Sequence, residues 1–82
     1  MEGFPFDSEV PVLLLMGCAE IFGHRQMGER ATKLYFQAVG CGDAARLADA
    51  LRHLLRHGNH FPTPRELRIV LGIEVRSEPT HA

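Results

Sequence analysis

The stretch that decides the fold runs from Ala44 to Leu71 and reads AARLADALRHLLRHGNHFPTPRELRIVL. Its first half follows a helical period. Ala44, Leu47, Ala48, Leu51, Leu54 and Leu55 fall on one face of a helix over 44–57, with Arg46, Asp49, Arg52, His53, Arg56 and His57 on the other. Asp43 stands at the N-cap, and Gly58 with Asn59 supplies the turn that ends it. The second half opens with a start signal. Thr63 as N-cap, Pro64 at the first helical position and Glu66 two residues later make a capping box with proline where no N–H bond is lost. Phe61 lies just ahead and is placed to pack on the first turn. A short helix over 64–71 follows, with Leu67, Val70 and Leu71 inward and Gly72 closing it. Ile73 and Val75 are placed to cover the end of the bundle.

Two further helices precede this pair. Residues 1–8, MEGFPFDS, form an irregular arm whose Phe4 and Phe6 can fold back onto the core. Ser8 is a suitable N-cap, and Glu9 suits the dipole of a helix over 9–22. Pro11 is tolerated in that first turn. Val10, Leu13, Leu14, Gly17, Cys18 and Ile21 follow the spacing of one face, yet Val12, Leu15 and Met16 make the helix apolar nearly all round. Such a helix is either central or presents an apolar strip to a partner, including a second copy, unless Phe4 and Phe6 bury Leu15 and Met16. A second helix is expected over 26–39, with Met27, Ala31, Leu34, Tyr35 and Ala38 inward and Glu29, Arg30, Lys33 and Gln37 outward. Gly40-Cys41-Gly42 ends it. No run alternates with period two beside hairpin turn residues. The fold class is therefore all-α: a compact bundle of three helices plus a short fourth, occupying residues 9–73, with a frayed tail over 74–82.

The composition sets bounds on function. The chain has 82 residues, 45% of them hydrophobic, and a formal charge of −1. That suits one small soluble domain with a thin core, and leaves little room for a water-excluding enzyme pocket. The apolar run from Val10 to Ala19 is roughly half of what a bilayer requires and follows only acidic residues, so neither a membrane span nor a signal peptide is expected. Cys18 and Cys41 belong to no CxxC or metal spacing and read as free thiols of a reducing, cytoplasmic compartment. The charge is unevenly spread. Residues 1–24 hold Glu2, Asp7, Glu9 and Glu20 with no Lys or Arg, whereas residues 46–73 hold five arginines against Asp49 and Glu66. His53, His57 and His60 make that second half more positive in acid. A gradient of this kind suits a docking surface.

Specific chemistries find less support. Ser8 and Thr63 are accounted for as caps, carboxylates are scattered, and Gly40 and Gly42 lack the lysine and hydroxyl of a phosphate loop, so catalysis is not expected. His53 and His57 share a helical face and His60 follows the turn, but no HExxH or CxxC accompanies them, so no metal and no cofactor is assigned. Nucleic-acid binding would use Arg46, Arg52, Arg56, Arg65 and Arg68, with the last helix read as the second of a helix-turn-helix. No aromatic residue interleaves with these arginines to stack bases. A charged protein-docking face built from Arg52, Arg56, Arg65 and Arg68, edged by His53, His57 and His60, is the stronger expectation.

The segment Leu34-Tyr35-Phe36-Gln37-Ala38-Val39, a short turn, and then LRHLLRHGNHFPTPREL over 51–67 resemble the N-terminal domain of phage replicative-helicase loaders and inhibitors. In that family an aromatic-bearing helix is followed by a second helix and a phenylalanine–proline cap that introduces a third. Ala50, Leu51, Phe61, Pro62, Thr63, Pro64, Glu66 and Leu67 carry the resemblance, which spans about residues 10–72. It implies a non-catalytic phage-type module that binds a protein partner, such as a replicative helicase or another nucleic-acid machine, and blocks or recruits it. Two alternatives stand beside it. One is a small nucleic-acid-binding regulator. The other is a phage-encoded inhibitor of a host defence or transcription complex.

Overall fold

The computed structural model describes residues 2–75. Four helices follow in order: α1 (Val10–Ile21), α2 (Glu29–Val39), α3 (Ala44–His57) and α4 (Pro64–Leu71). Among the described residues there is no strand. α3 is the central element and packs against α1 on one side and α4 on the other, while α2 packs against α4. The core gathers Leu15 and Cys18 of α1, Tyr35, Phe36 and Val39 of α2, Leu47, Ala50 and Leu51 of α3, and Leu67 and Leu71 of α4.

α3 and α4 begin and end for local reasons. The Asp43 carboxylate accepts from the backbone N–H of Ala45 and Arg46, which satisfies two of the donors a helix start leaves open. α3 stops at Gly58, where a Cβ would lie 2.6 Å from the Leu54 carbonyl oxygen, so a side chain there would force the last turn to shift. The expected capping box is present: Glu66 N–H donates to Thr63 Oγ1 at 3.2 Å, and Thr63 N–H donates to Glu66 Oε1 at 2.9 Å. At the far end Gly72 adopts φ 79°, and Ile73 N–H donates back to the Arg68 carbonyl at 2.9 Å. This reverse turn sends Glu74 back alongside α4.

The N-terminal arm is irregular and contributes to the core. Phe6 is buried and meets Phe36 edge-on, with ring centroids 5.0 Å apart. Phe4 packs behind it, 5.6 Å from Phe6. Ser8 does not occupy the N-cap, which is Glu9, but its Oγ accepts from Val10 N–H at 3.2 Å. Tyr35 ties α2 to the α3–α4 connection by donating its hydroxyl to the Pro62 carbonyl at 2.8 Å. Burial pushes the Tyr35 phenol far above its ordinary range, so it remains a donor.

Several expectations about helix bounds and facing residues are corrected. In α1 the core takes Pro11, Leu15, Cys18 and Ala19, while Val10, Leu13 and Ile21 point outward. A helix apolar all round offers periodicity no preferred side, and α1 turns the small Cys18 and Ala19 inward while Gly17 stays on the open side. Leu15 is buried and Met16 stays exposed. α2 starts at Glu29 rather than 26, after Gly28 as N-cap. Its buried stripe is Thr32, Tyr35, Phe36 and Val39, one residue on from the expected stripe, and Ala31, Leu34 and Ala38 are exposed. Both stripes have the same spacing. The observed one buries Thr32, Phe36 and Val39 in place of Ala31, Leu34 and Ala38, and Thr32 is accommodated because its hydroxyl donates to the Gly28 carbonyl at 2.8 Å. Finally, Val70, Ile73 and Val75 are exposed and do not close the bundle. Of the expected tail, 76–82 lies outside the described residues.

Candidate functional site

The outward face of α3 is the most accessible charged surface formed by the predicted site residues. Arg52, His53, Arg56 and His57 project from two successive turns and, with Asp49, line one shallow groove. All four are exposed because the opposite side of α3 supplies Leu47 and Leu51 to the core. The His53 and His57 rings lie 4.7 Å apart, as the i, i+4 spacing requires. Arg52 Nη1 is 3.3 Å from Asp49 Oδ1, a pair with both members well exposed and therefore weak. Arg56 has no ion-pair partner among the described residues.

The other predicted members are held elsewhere. Arg65 Nε and Arg68 Nε donate to the two oxygens of Glu74 at 2.9 and 2.6 Å. Arg68 also donates to the Ala38 carbonyl at the end of α2, at 2.6 Å. The two arginines hold the Glu74 carboxyl below its ordinary range. They thus bind the reversed chain after α4 and cap the C-terminus of α2. His60 Nε2 lies 2.9 Å from Glu66 Oε2 and its Nδ1 lies 2.8 Å from Asn59 Oδ1. Burial pushes the Glu66 carboxyl upward, but the hydrogen bonds from Thr63 and His60 outweigh it, and the net shift is downward. His60 is accordingly part of the capping arrangement at the start of α4. The seven predicted residues form two groups: four on α3, and three built into the supports of α4.

Two roles were not anticipated. Arg46 donates Nη2 to the Leu71 carbonyl and ties α3 to the end of α4. Glu74 was assigned to a frayed tail, and only the turn at Gly72 brings it to Arg65 and Arg68. The sequence signal for that turn is Gly72 directly after the last apolar position of α4. Between α3 and α4 lies a larger open groove of about 450 Å³, lined by Arg46, Asp49, Ala50, His53, Val70 and Leu71. It continues the α3 face, since Asp49 and His53 border both.

Among the described residues no group of three or more His, Cys, Asp or Glu side chains is placed to hold a metal ion. Cys18 and Cys41 are both free and buried, and burial raises the Cys18 thiol. No helix among the described residues is long and apolar enough to cross a membrane. No protein-family model, curated protein or solved structure matches the chain.

Proposed function

We propose that the chain is a small non-catalytic interaction module whose α3 face captures an acidic surface on a larger protein machine of the cytoplasm. The observation that carries this reading is the division of the arginines. Of the five between residues 46 and 73, Arg46 and Arg68 tie helices together and Arg65 holds Glu74 beyond α4, while Arg52 and Arg56 face solvent beside His53 and His57. Arg56, with no ion-pair partner among the described residues, and Arg52, whose exposed pair with Asp49 is weak, are available to a partner, and such cations steer and orient more than they add raw affinity. The resemblance over residues 10–72 supports a replicative helicase as that partner, blocked or recruited in the manner of phage helicase loaders and inhibitors.

The test is capture of a purified replicative helicase by the intact chain and by the double variant Arg52→Glu, Arg56→Glu. Loss of capture with unchanged helical circular dichroism supports the reading, and equal capture removes α3 from it. A nucleic-acid regulator makes a different prediction. Its affinity for a duplex would fall steeply with salt, with a log–log slope near about −0.9 per phosphate neutralised. Arg65 and Arg68, which such a regulator would need on α4, are occupied by Glu74.

A further inference from the structure

α1 leaves an unusual face in solvent. Val10, Leu13, Met16 and Ile21 are 41, 59, 45 and 65% exposed. Contiguous exposed apolar surface on a small domain marks a contact site. The N-terminal arm borders only its edges, where Phe4 shares a groove with Met16 and Ser8 one with Val10, and leaves Leu13 open as it runs over α2: Gln37 Nε2 donates to the Gly3 carbonyl at 3.1 Å, and the Lys33 side chain lies against Gly3. Along the middle of this face Glu9, Leu13, Gly17 and Glu20 succeed one another turn by turn.

Gly17 is the informative member. A Cβ built there meets nothing within 4 Å, so no contact inside the molecule requires glycine, although glycine weakens a helix interior. A missing side chain between Leu13 and Glu20 lets a second backbone approach closely. The charge on the face selects what approaches. Glu9 and Glu20 are exposed, and residues 1–24 contain no Lys or Arg. A second copy docked two-fold on this face would set Glu20 of one α1 near Glu9 of the other with no cation in either α1 to balance them.

We propose that the outward face of α1 is a docking surface for an amphipathic helix of another protein that carries lysine or arginine beside its apolar stripe. The apolar stripe covers Leu13 and Met16, its backbone rests over Gly17, and its cations reach Glu9 and Glu20. This surface meets the α3 face at one groove, which Val10 and Arg52 both line; Leu13 and Gly17 lie outside that groove, so variants there test this proposal apart from the α3 one.

The test uses the intact chain and a helical peptide of α1's length, with leucines at alternating three- and four-residue spacing flanked by lysines. A second peptide replaces those lysines with glutamate. Binding is followed by fluorescence anisotropy and mapped by amide chemical shifts. The lysine peptide is expected to bind and to shift residues 9–21, and the glutamate peptide to bind about tenfold or more weakly. Leu13→Glu is expected to abolish binding, although its added charge would strengthen a merely electrostatic attraction. Gly17→Gln is expected to weaken binding while raising the thermal midpoint, which separates lost docking from lost folding. Absence of binding, shifts mapping to another face, or unchanged binding in both variants would overturn the proposal. So would a concentration-dependent dimer dissolved by Leu13→Glu, because the occupant would then be a second copy.

Discussion

Gly17 and Gly58 invite the same substitution with opposite outcomes. Gly17 is the eighth residue of the twelve-residue α1, and an added methyl would enter open space. Alanine is favoured over glycine in a helix interior by about 1 kcal/mol, part of it through a less mobile unfolded chain. With no steric cost to offset, Gly17→Ala should stabilise by about 0.5–1 kcal/mol. For a domain of this size about 1 kcal/mol moves the midpoint by about 4–8 °C, so a rise of roughly 2–8 °C is expected. At Gly58 the same methyl would sit 2.6 Å from the Leu54 carbonyl oxygen, a backbone atom of the last turn of α3. That turn must shift, and forced overpacking of this kind costs about 1–3 kcal/mol. Gly58→Ala should therefore lower the midpoint. Urea unfolding followed by circular dichroism checks both, with an unchanged slope showing that the denatured state is not the cause. A fall in Gly17→Ala would mean that α1 is packed through the face described as open. A neutral Gly58→Ala would mean that the α3–α4 turn does not hold its close carbonyl contact. Either result would refute the packing argument rather than adjust it.

Four further outcomes are expected. Thr63→Ala should destabilise by about 1 kcal/mol, because it removes one arm of the capping box and leaves the Glu66 N–H without its acceptor; chemical denaturation measures it. The Glu66 carboxyl lies below its ordinary range when folded, so its stabilising contribution is present above about pH 4.3 and is lost as pH falls through the folded value; Glu66→Gln should flatten the acid limb of a midpoint-versus-pH curve, and an unchanged limb would contradict the His60–Glu66–Thr63 geometry. Tyr35→Phe should cost about 1–3 kcal/mol by stranding the buried Pro62 carbonyl, while Cys18 and Cys41 should resist alkylation in the native state and react once urea unfolds the chain.

Legibility differed between the two halves of the molecule. α3 was readable to the residue because Asp43 starts it, Gly58 ends it, and its polar and apolar faces differ sharply. α4 was readable because Thr63, Pro64 and Glu66 act on one another within a single turn. In α2 the existence of the helix was clear and its orientation was not. Two stripes offset by one residue share a spacing, and the choice between Leu34 and Phe36 depends on the volume to be filled beside Phe6 and Leu67. The candidate site divides in the same way. That His53, His57, Arg52 and Arg56 share a face follows from helical geometry alone. That Arg65 and Arg68 turn instead to Glu74 follows from the chain reversal at Gly72.

What this sequence determined by itself is local: four helices, the caps of α3 and α4, and the polar face of α3, each set by contacts within a few residues. Which side of α1 enters the core was decided only by tertiary packing. A helix apolar all round has no internal reason to choose, and α3 accepted the side bearing Cys18 and Ala19. The same packing decided which arginines remained available, because Arg46, Arg65 and Arg68 found carbonyls and a carboxylate across element boundaries while Arg52 and Arg56 were left facing water.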